Sequence, residues 1–255
     1  ETSFQDQLNM IQTDLSDVSY DGYIISPLQQ DMVANLIQDT EKPVIALDTN
    51  IESDKVVTFV GTGNEEAAKQ GAIAAVEAAK EAGWTEIQCI EIAGVQGDST
   101  NTARMNGYKA GIEEAGGDFL EDEVQYAEAT ATRAVDAMNG IISRYPDGIA
   151  IICANNDDMA IAASKAARDS GNQAYANTIF LGFNGDRAAC EAILADELTM
   201  SIAQMAYEMG YKSVEAMVQT LDGEQVEPNI DSGSEVITID NAQERLDTLD
   251  EQLGS

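Results

Sequence analysis

The sequence predicts an α/β protein of parallel sheets covered by helices, arranged as two lobes between which the chain crosses more than once. Three observations carry this. Runs such as Val44-Ile45-Ala46-Leu47 and Ile149-Ala150-Ile151-Ile152-Cys153-Ala154 are apolar at every position, the pattern of strands buried on both faces. They alternate with stretches of helical apolar spacing, as β-α units do. The connections are short, and no Pro-rich or Ser-rich linker divides the 255 residues into separate beads.

Phe4, Leu8, Ile11 and Leu15 fall on one stripe and predict a first helix over Phe4–Leu15. Tyr23-Ile24-Ile25 is a strand closed by Ser26-Pro27, and Met32, Leu36 and Ile37 mark the next helix. Val44–Leu47 is a strand ending at Asp48-Thr49-Asn50, and Val56–Val60 is another. Gly61-Thr62-Gly63-Asn64 leads into a long helix from Glu65 to Ala82. The pattern then repeats: a strand over Glu86–Ile92, a Gly-rich loop over Gly94–Thr100, a helix over Asn101–Ala115, a strand over Phe119–Tyr126 and a helix from Thr130 to Arg144.

The stretch from Gly148 to Ala160 organises the rest. Its apolar run breaks into Asn155-Asn156-Asp157-Asp158, and helical spacing resumes at Met159, Ile161, Ala162 and Ala166. A strand therefore ends in four polar side chains, one or two of which cap the following helix. In an open parallel sheet, ligands bind beyond such carboxyl ends. Strands at Ile179–Gly185 and Leu198–Ala203 follow, with helices at Arg187–Ala195 and Tyr207–Leu221. Glu235–Ile239 is expected as a last strand, and the acidic tail as a helix or disordered.

Charge and composition exclude several functions. Forty-six acidic residues against 13 basic ones leave −33, which repels nucleic acid and anionic membranes, because phosphate binding needs Lys and Arg. No apolar run reaches the ~18 residues of a membrane span. Histidine is absent, which removes Ser-His and Cys-His catalysis and the commonest zinc ligand. Cys89 and Cys153 lie in apolar strand runs and Cys190 in an Ala-rich helix, so all three are expected as buried small hydrophobes. No nucleophile–base pair, phosphate loop or metal cluster is visible, and neither an enzyme nor a cofactor or metal site is expected. Gly61-Thr62-Gly63 has Glu66 where a dinucleotide fingerprint needs its third glycine, and the acids around Asp157 lack the alternating spacing of a calcium loop.

Several polar residues remain as candidates. Asp48 lies just past a strand end, where a turn carboxylate and a ligand acceptor are equally served. Arg104, one of six arginines, stands in the first turn of a helix after a loop of small polar residues. It is either a surface partner of an acid or a fork facing sugar hydroxyls or a carboxylate. Asn184, between Gly182 and Gly185, sits in a turn that calls for φ > 0. Gln204 follows a strand directly and has no capping duty.

These pieces, in order, resemble the sugar-binding proteins of ABC importers, ribose-binding type, within the type I periplasmic binding protein family. The resemblance rests on Ile24-Ile25-Ser26-Pro27, Pro43–Asp48, Thr102-Ala103-Arg104-Met105-Asn106-Gly107 and Tyr145-Pro146-Asp147. Ala154–Ala160, Gly182-Phe183-Asn184-Gly185 and Ser201-Ile202-Ala203-Gln204 complete it, and the set covers about residues 1–239. It implies two doubly wound parallel-sheet lobes joined by hinge strands and closing on a sugar. The first lobe would be 1–62 plus 205–235, and the second 63–204 plus 236–255. In the ligand-binding set, Asp48 would accept from sugar hydroxyls and Arg104 would donate to the ring oxygen or a hydroxyl. Asn156 would do both and Gln204 would bind from the hinge, with Thr49, Asp157 and Asn184 completing the set.

Thr49 stands where ribose-binding relatives carry a second arginine, Asn184 where they carry an aspartate, and Ala129 where an aromatic stacks on the sugar. Another pentose, a hexose, a polyol or a different small polar ligand is therefore expected in place of ribose. The resemblance also implies that the family's first strand, helix and second strand precede this chain, with a secretion signal or lipid anchor, leaving the first lobe incomplete at its N-terminus. A complete protein is expected as a monomer and a truncated one as a swapped dimer. The expected partners are a sugar or polyol and the membrane permease of an ABC importer, and the expected location is extracytoplasmic, in a periplasm or lipid-anchored. A ligand-sensing ectodomain for chemotaxis or signalling and the effector-binding core of a LacI-type repressor are the alternatives.

Overall fold

A computed structural model describes residues 4–253; the outermost residues of the expected lobes, 1–3 and 254–255, lie outside them. The chain forms two compact units, Glu1–Gly63 with Met205–Gly233, and Asn64–Gln204 with Ser234–Ser255.

In the smaller unit, β1 (Tyr23–Ile25), β2 (Val44–Leu47), β3 (Val56–Gly61) and β10 (Asn229–Asp231) form a parallel sheet in the order β1-β2-β3-β10. Alternate residues serve opposite faces. Tyr23, Ile25, Val44 and Ala46 pack with Leu8 of α1 (Phe4–Leu15) and Val33 of α2 (Gln30–Leu36). Ile45 and Val60 pack on the other side with Met209, Ala216 and Met217 of α8 (Ala206–Leu221). β10 escapes sequence reasoning because its three residues carry one apolar side chain. It is held from outside, with the Thr58 hydroxyl donating to the Glu227 carbonyl at 2.7 Å and Phe59 N–H to the Pro228 carbonyl at 3.0 Å.

The larger unit holds β4 (Gln88–Ala93), β7 (Ile151–Ala154), β8 (Ile179–Asn184) and β9 (Met200–Gln204), all parallel. β11 (Ser234–Ile237) joins β9 antiparallel and closes that edge. The strand expected over Phe119–Tyr126 is two short pieces, β5 (Asp118–Phe119) and β6 (Gln125–Tyr126), each paired with β4 and separated by a 3₁₀ turn at Glu121–Glu123. Three successive acids at that turn cannot be buried as a central strand would require. The tail forms a helix, α9 (Ala242–Leu253).

Helices α3 (Asn64–Glu81), α4 (Ser99–Glu114), α5 (Ala131–Arg144), α6 (Asp157–Asp169) and α7 (Arg187–Leu194) complete this unit. α3 and α4 approach closely through Gly107 and Gly111, where a Cβ would meet the Glu65 carbonyl at 2.1 Å and the Lys69 carbonyl at 2.3 Å. Their shared core holds Cys89, Ile151, Cys153 and Leu181. Cys89 and Cys153 are fully buried thiols 3.5 Å apart, and burial pushes the Cys153 thiol up. Strand alternation turns Glu91 into the same core. Its carboxyl is fully buried with no hydrogen-bond partner among the described residues, and burial alone raises it to about 8.

Candidate ligand-binding site

Because β4, β7, β8 and β9 are parallel, their carboxyl ends lie on one side of the larger sheet, and polar side chains gather there. Asp98 caps α4, its carboxylate accepting from Asn101 N–H at 2.7 Å. The Asn101 Oδ1 in turn accepts from Gly94 N–H at 2.6 Å and from Asn155 Nδ2 at 2.8 Å, tying the β4 and β7 loops together.

Arg104 projects from the first turns of α4 into this cluster and is 7 % exposed. Its Nε donates to Asn64 Oδ1 at 2.9 Å and an Nη to the Asn155 carbonyl at 2.7 Å. The guanidinium lies over the buried Phe183 ring, 3.7 Å from its centroid. A cation on an aromatic face with its donors directed in-plane is a fixed fork. The surface-pair alternative for Arg104 is thereby replaced by a buried, oriented one.

Asn156 caps α6: its Oδ1 accepts from Met159 N–H at 2.9 Å and its Nδ2 donates to the Ala129 carbonyl at 3.3 Å. Asn184 ends β8 with φ 140 and Gly185 follows at φ 60, the turn the sequence calls for. The Asn184 Oδ1 accepts from Gln204 Nε2 at 2.9 Å, joining the ends of β8 and β9. Gln204 Oε1 is buried with no hydrogen-bond partner among the described residues. A buried amide oxygen without a donor costs ~1–3 kcal/mol.

Asp157 is turned inward. It is fully buried, its carboxylate accepting from the Ser201 hydroxyl at 2.5 Å and from Asp186 N–H at 3.3 Å. Burial, with a smaller contribution from the nearby Asp186, pushes it up to about 7 against the pull of its hydrogen bonds. Its contacts tie α6 to β9 and the β8 turn, beneath the polar strand ends. Arg104, Asn156, Asn184 and Gln204 thus share one end of the larger sheet. Asp48 and Thr49 belong to the smaller unit: Asp48 is exposed at φ 64 just past β2, and Thr49 N–H donates to the Leu47 carbonyl at 2.7 Å.

Sequence reasoning passed over Asn64, Phe183 and Arg245. Arg245 of α9 is 7 % exposed, its Nε donating to the Gly185 carbonyl at 3.2 Å and an Nη to the Gln204 carbonyl at 2.9 Å. It clamps the backbone on both sides of the Asn184–Gln204 pair. A lone arginine in an acidic tail helix was the one available signal. Among the described residues no group of three or more His, Cys, Asp or Glu is placed to hold a metal, and no helix is long and apolar enough to cross a membrane.

Comparison with known proteins bears on this arrangement. A model of the periplasmic binding protein domain matches residues 1–225. The ribose import binding protein of Salmonella typhimurium is 29% identical over 207 residues, 80% of this chain and 67% of that one. A periplasmic ribose ABC transporter structure from Conexibacter woesei superposes with a TM-score of 0.83 at 22% identity, covering 96% of this chain and 81% of the other. An ABC transporter periplasmic solute-binding protein from Actinobacillus succinogenes, solved with D-allose, gives 0.82 at 18% identity, covering 96% and 87%.

Proposed function

This chain belongs to the periplasmic binding protein domain family, and from that premise we propose that it captures a monosaccharide or small polyol outside the cytoplasm for the permease of an ABC importer. The single observation that carries the reading is the strand-end cluster of the larger unit. There a buried arginine fork stands on an aromatic face, together with a buried amide oxygen that lacks a donor. Such a set offers donors and acceptors but no nucleophile, so binding is followed by release rather than by chemistry. The ribose import binding protein among the relatives supports the substrate class.

In this reading Asp48 and Thr49 accept from and donate to ligand hydroxyls, and Arg104 donates to a ring oxygen or hydroxyl. Gln204 Oε1 accepts the hydroxyl proton it lacks in the free protein, with Asn184 holding its Nε2 in place. Asn156 offers what its capping duty leaves over. Asp157 supports the cluster from below through Ser201. A sugar lacking a hydroxyl opposite any of these groups leaves it buried and unpaired, at ~1–3 kcal/mol, which is how the site would discriminate. Thr49 and Asn184 favour a ligand other than ribose.

Thermal unfolding against pentoses, hexoses and polyols tests the proposal, with Arg104→Lys as the control that keeps the charge and loses the fork. A ligand at 100 times its Kd adds ~2.7 kcal/mol, several degrees for units of this size. A shift with one sugar, reduced in the variant, is the expected result. No shift with any member of the panel, in protein that melts cooperatively, overturns the reading.

A further inference from the structure

Helix α9 carries four acids and a single basic residue, Arg245. None of the acids, Glu244, Asp247, Asp250 and Glu251, stands three or four positions from it, the spacing at which side chains meet along a helix. Arg245 instead shares the buried side of α9 with Ala242 and Leu246. A guanidinium that leaves water needs acceptors for its N–H groups, and two of them are main-chain carbonyls at the ends of β8 and β9.

These two contacts close a ring. Arg245 Nε donates to the Gly185 carbonyl and an Nη to the Gln204 carbonyl, while Gln204 Nε2 donates to Asn184 Oδ1. Asn184 and Gly185 are chain neighbours, so three hydrogen bonds lock the two strand ends together through backbone and side chain. The turn is fixed on its other side as well. Gly185 N–H donates to Ser201 Oγ at 3.1 Å, and a Cβ at Gly185 would meet Ala203 at 2.3 Å. Asn184 holds φ 140, a conformation that persists only where its surroundings over-determine it. Gln204 is thereby pinned at two points, its carbonyl and its Nε2. A planar amide pinned at its nitrogen has the direction of its Oε1 set with it.

We propose that Arg245 is the positioning residue of this strand-end cluster, bridging two carbonyls so that the Gln204 amide is presented in one orientation. The proposal rests on the reading that the cluster meets a sugar or polyol. It adds to that reading a specificity determinant in α9, beyond the residues 1–225 that the family model matches. An amide oriented before binding loses little rotamer freedom on binding, and it accepts only from a hydroxyl aimed at Oε1. A planar fork suits this role because its N–H directions are fixed, whereas a lysine ammonium is a point charge on a flexible stem.

Side-chain amide NMR of the ligand-free chain reads the orientation directly, with Gln204→Met identifying the Gln204 signals by their loss. Arg245→Met is expected to shift these signals to the values of a mobile, solvent-exposed glutamine. Arg245→Lys moves them in the same direction and replaces the first variant should that one not melt cooperatively. Gln204 signals that stay unchanged in a folded Arg245 variant overturn the proposal, whether or not a sugar binds. Calorimetric titration with D-ribose, D-allose, D-glucose and myo-inositol then separates positioning from general support of the fold. For a probe that binds the parent, Arg245→Met weakens binding by roughly tenfold alone and by less than about twofold in the Gln204→Met background. Equal losses in the two backgrounds overturn the proposal and leave the sugar reading standing. No binding of any probe to the parent, with the amide shift seen, overturns the sugar reading and leaves Arg245 as the residue that orients Gln204.

Discussion

The two units treat their polar and apolar surplus in opposite ways. In the larger one, the strand ends are cross-tied: Asn101, Asn155, Arg104 and Asn64 form one network, and Arg245 clamps the carbonyls beside Asn184 and Gln204. Its β9 edge is closed by antiparallel β11. In the smaller unit, Asp48 stands exposed in a left-handed turn, and the described residues of the β1 edge and of the Tyr207–Leu221 stripe of α8 make few contacts of their own. One unit holds pre-organised groups whose removal damages the fold. The other carries Asp48 on an exposed turn, where substitution is expected to cost less than at the buried network.

The largest effect is expected at Arg104. Arg104→Ala strips the donors from the Asn64 amide and the Asn155 carbonyl and leaves a void over Phe183, so chemical denaturation should show a loss of about 3–4 kcal/mol. If the loss is within the few tenths typical of a surface site, the larger unit is not cross-tied as described.

Glu91 comes next, with the opposite sign. Its carboxyl is raised from 4.5 to about 8 by burial, so the folded chain holds this proton more tightly than the unfolded one. The associated stability is fully present below pH 4.5 and is lost as pH rises through about 8. Glu91→Met, close in shape, should therefore gain up to about 3 kcal/mol over the parent near pH 7 and little below pH 4.5. Urea unfolding across that range checks it. An equal gain at every pH would mean that packing, not ionisation, is responsible.

Asp157 is a similarly buried acid that has partners, raised to about 7 by burial against the pull of its hydrogen bonds. Ser201→Ala removes the 2.5 Å bond and should cost about 1–3 kcal/mol, with the carboxyl driven further up. A stability change near zero would separate Asp157 from the support of the strand ends. The smallest effect belongs to the smaller unit: Asp48→Asn, which tolerates the left-handed turn, should alter stability by less than about 0.5 kcal/mol while weakening sugar binding. Calorimetric titration with the sugar found in the panel reads the second effect. A stability loss there comparable to Arg104→Ala would erase the contrast between the units.

Much of the architecture was legible because strand and helix periods are local. The fully apolar runs at Val44–Leu47 and Ile151–Ala154 lie where strands form, and the amide and carboxylate residues after the second run start a helix on Asn156. The positive φ of Asn184 follows from its Gly-flanked turn. The helix expected over Tyr207–Leu221 is α8, Ala206–Leu221. Which of its faces meets the sheet, through Met209, Ala216 and Met217, only the structure shows.

Sequence alone determined the order of strands and helices, the fully apolar character of the parallel strands and the polar caps at their ends, because each depends on neighbours within a turn or a pleat. Tertiary structure decided what those residues face. It set Phe183 under Arg104, turned Asp157 inward onto Ser201, and drew Arg245 from the last helix to the ends of β8 and β9. It sealed Glu91 in an apolar core without a partner among the described residues. These pairings join residues tens of positions apart. Their free energies arise from desolvation and long-range contact, which no local period records.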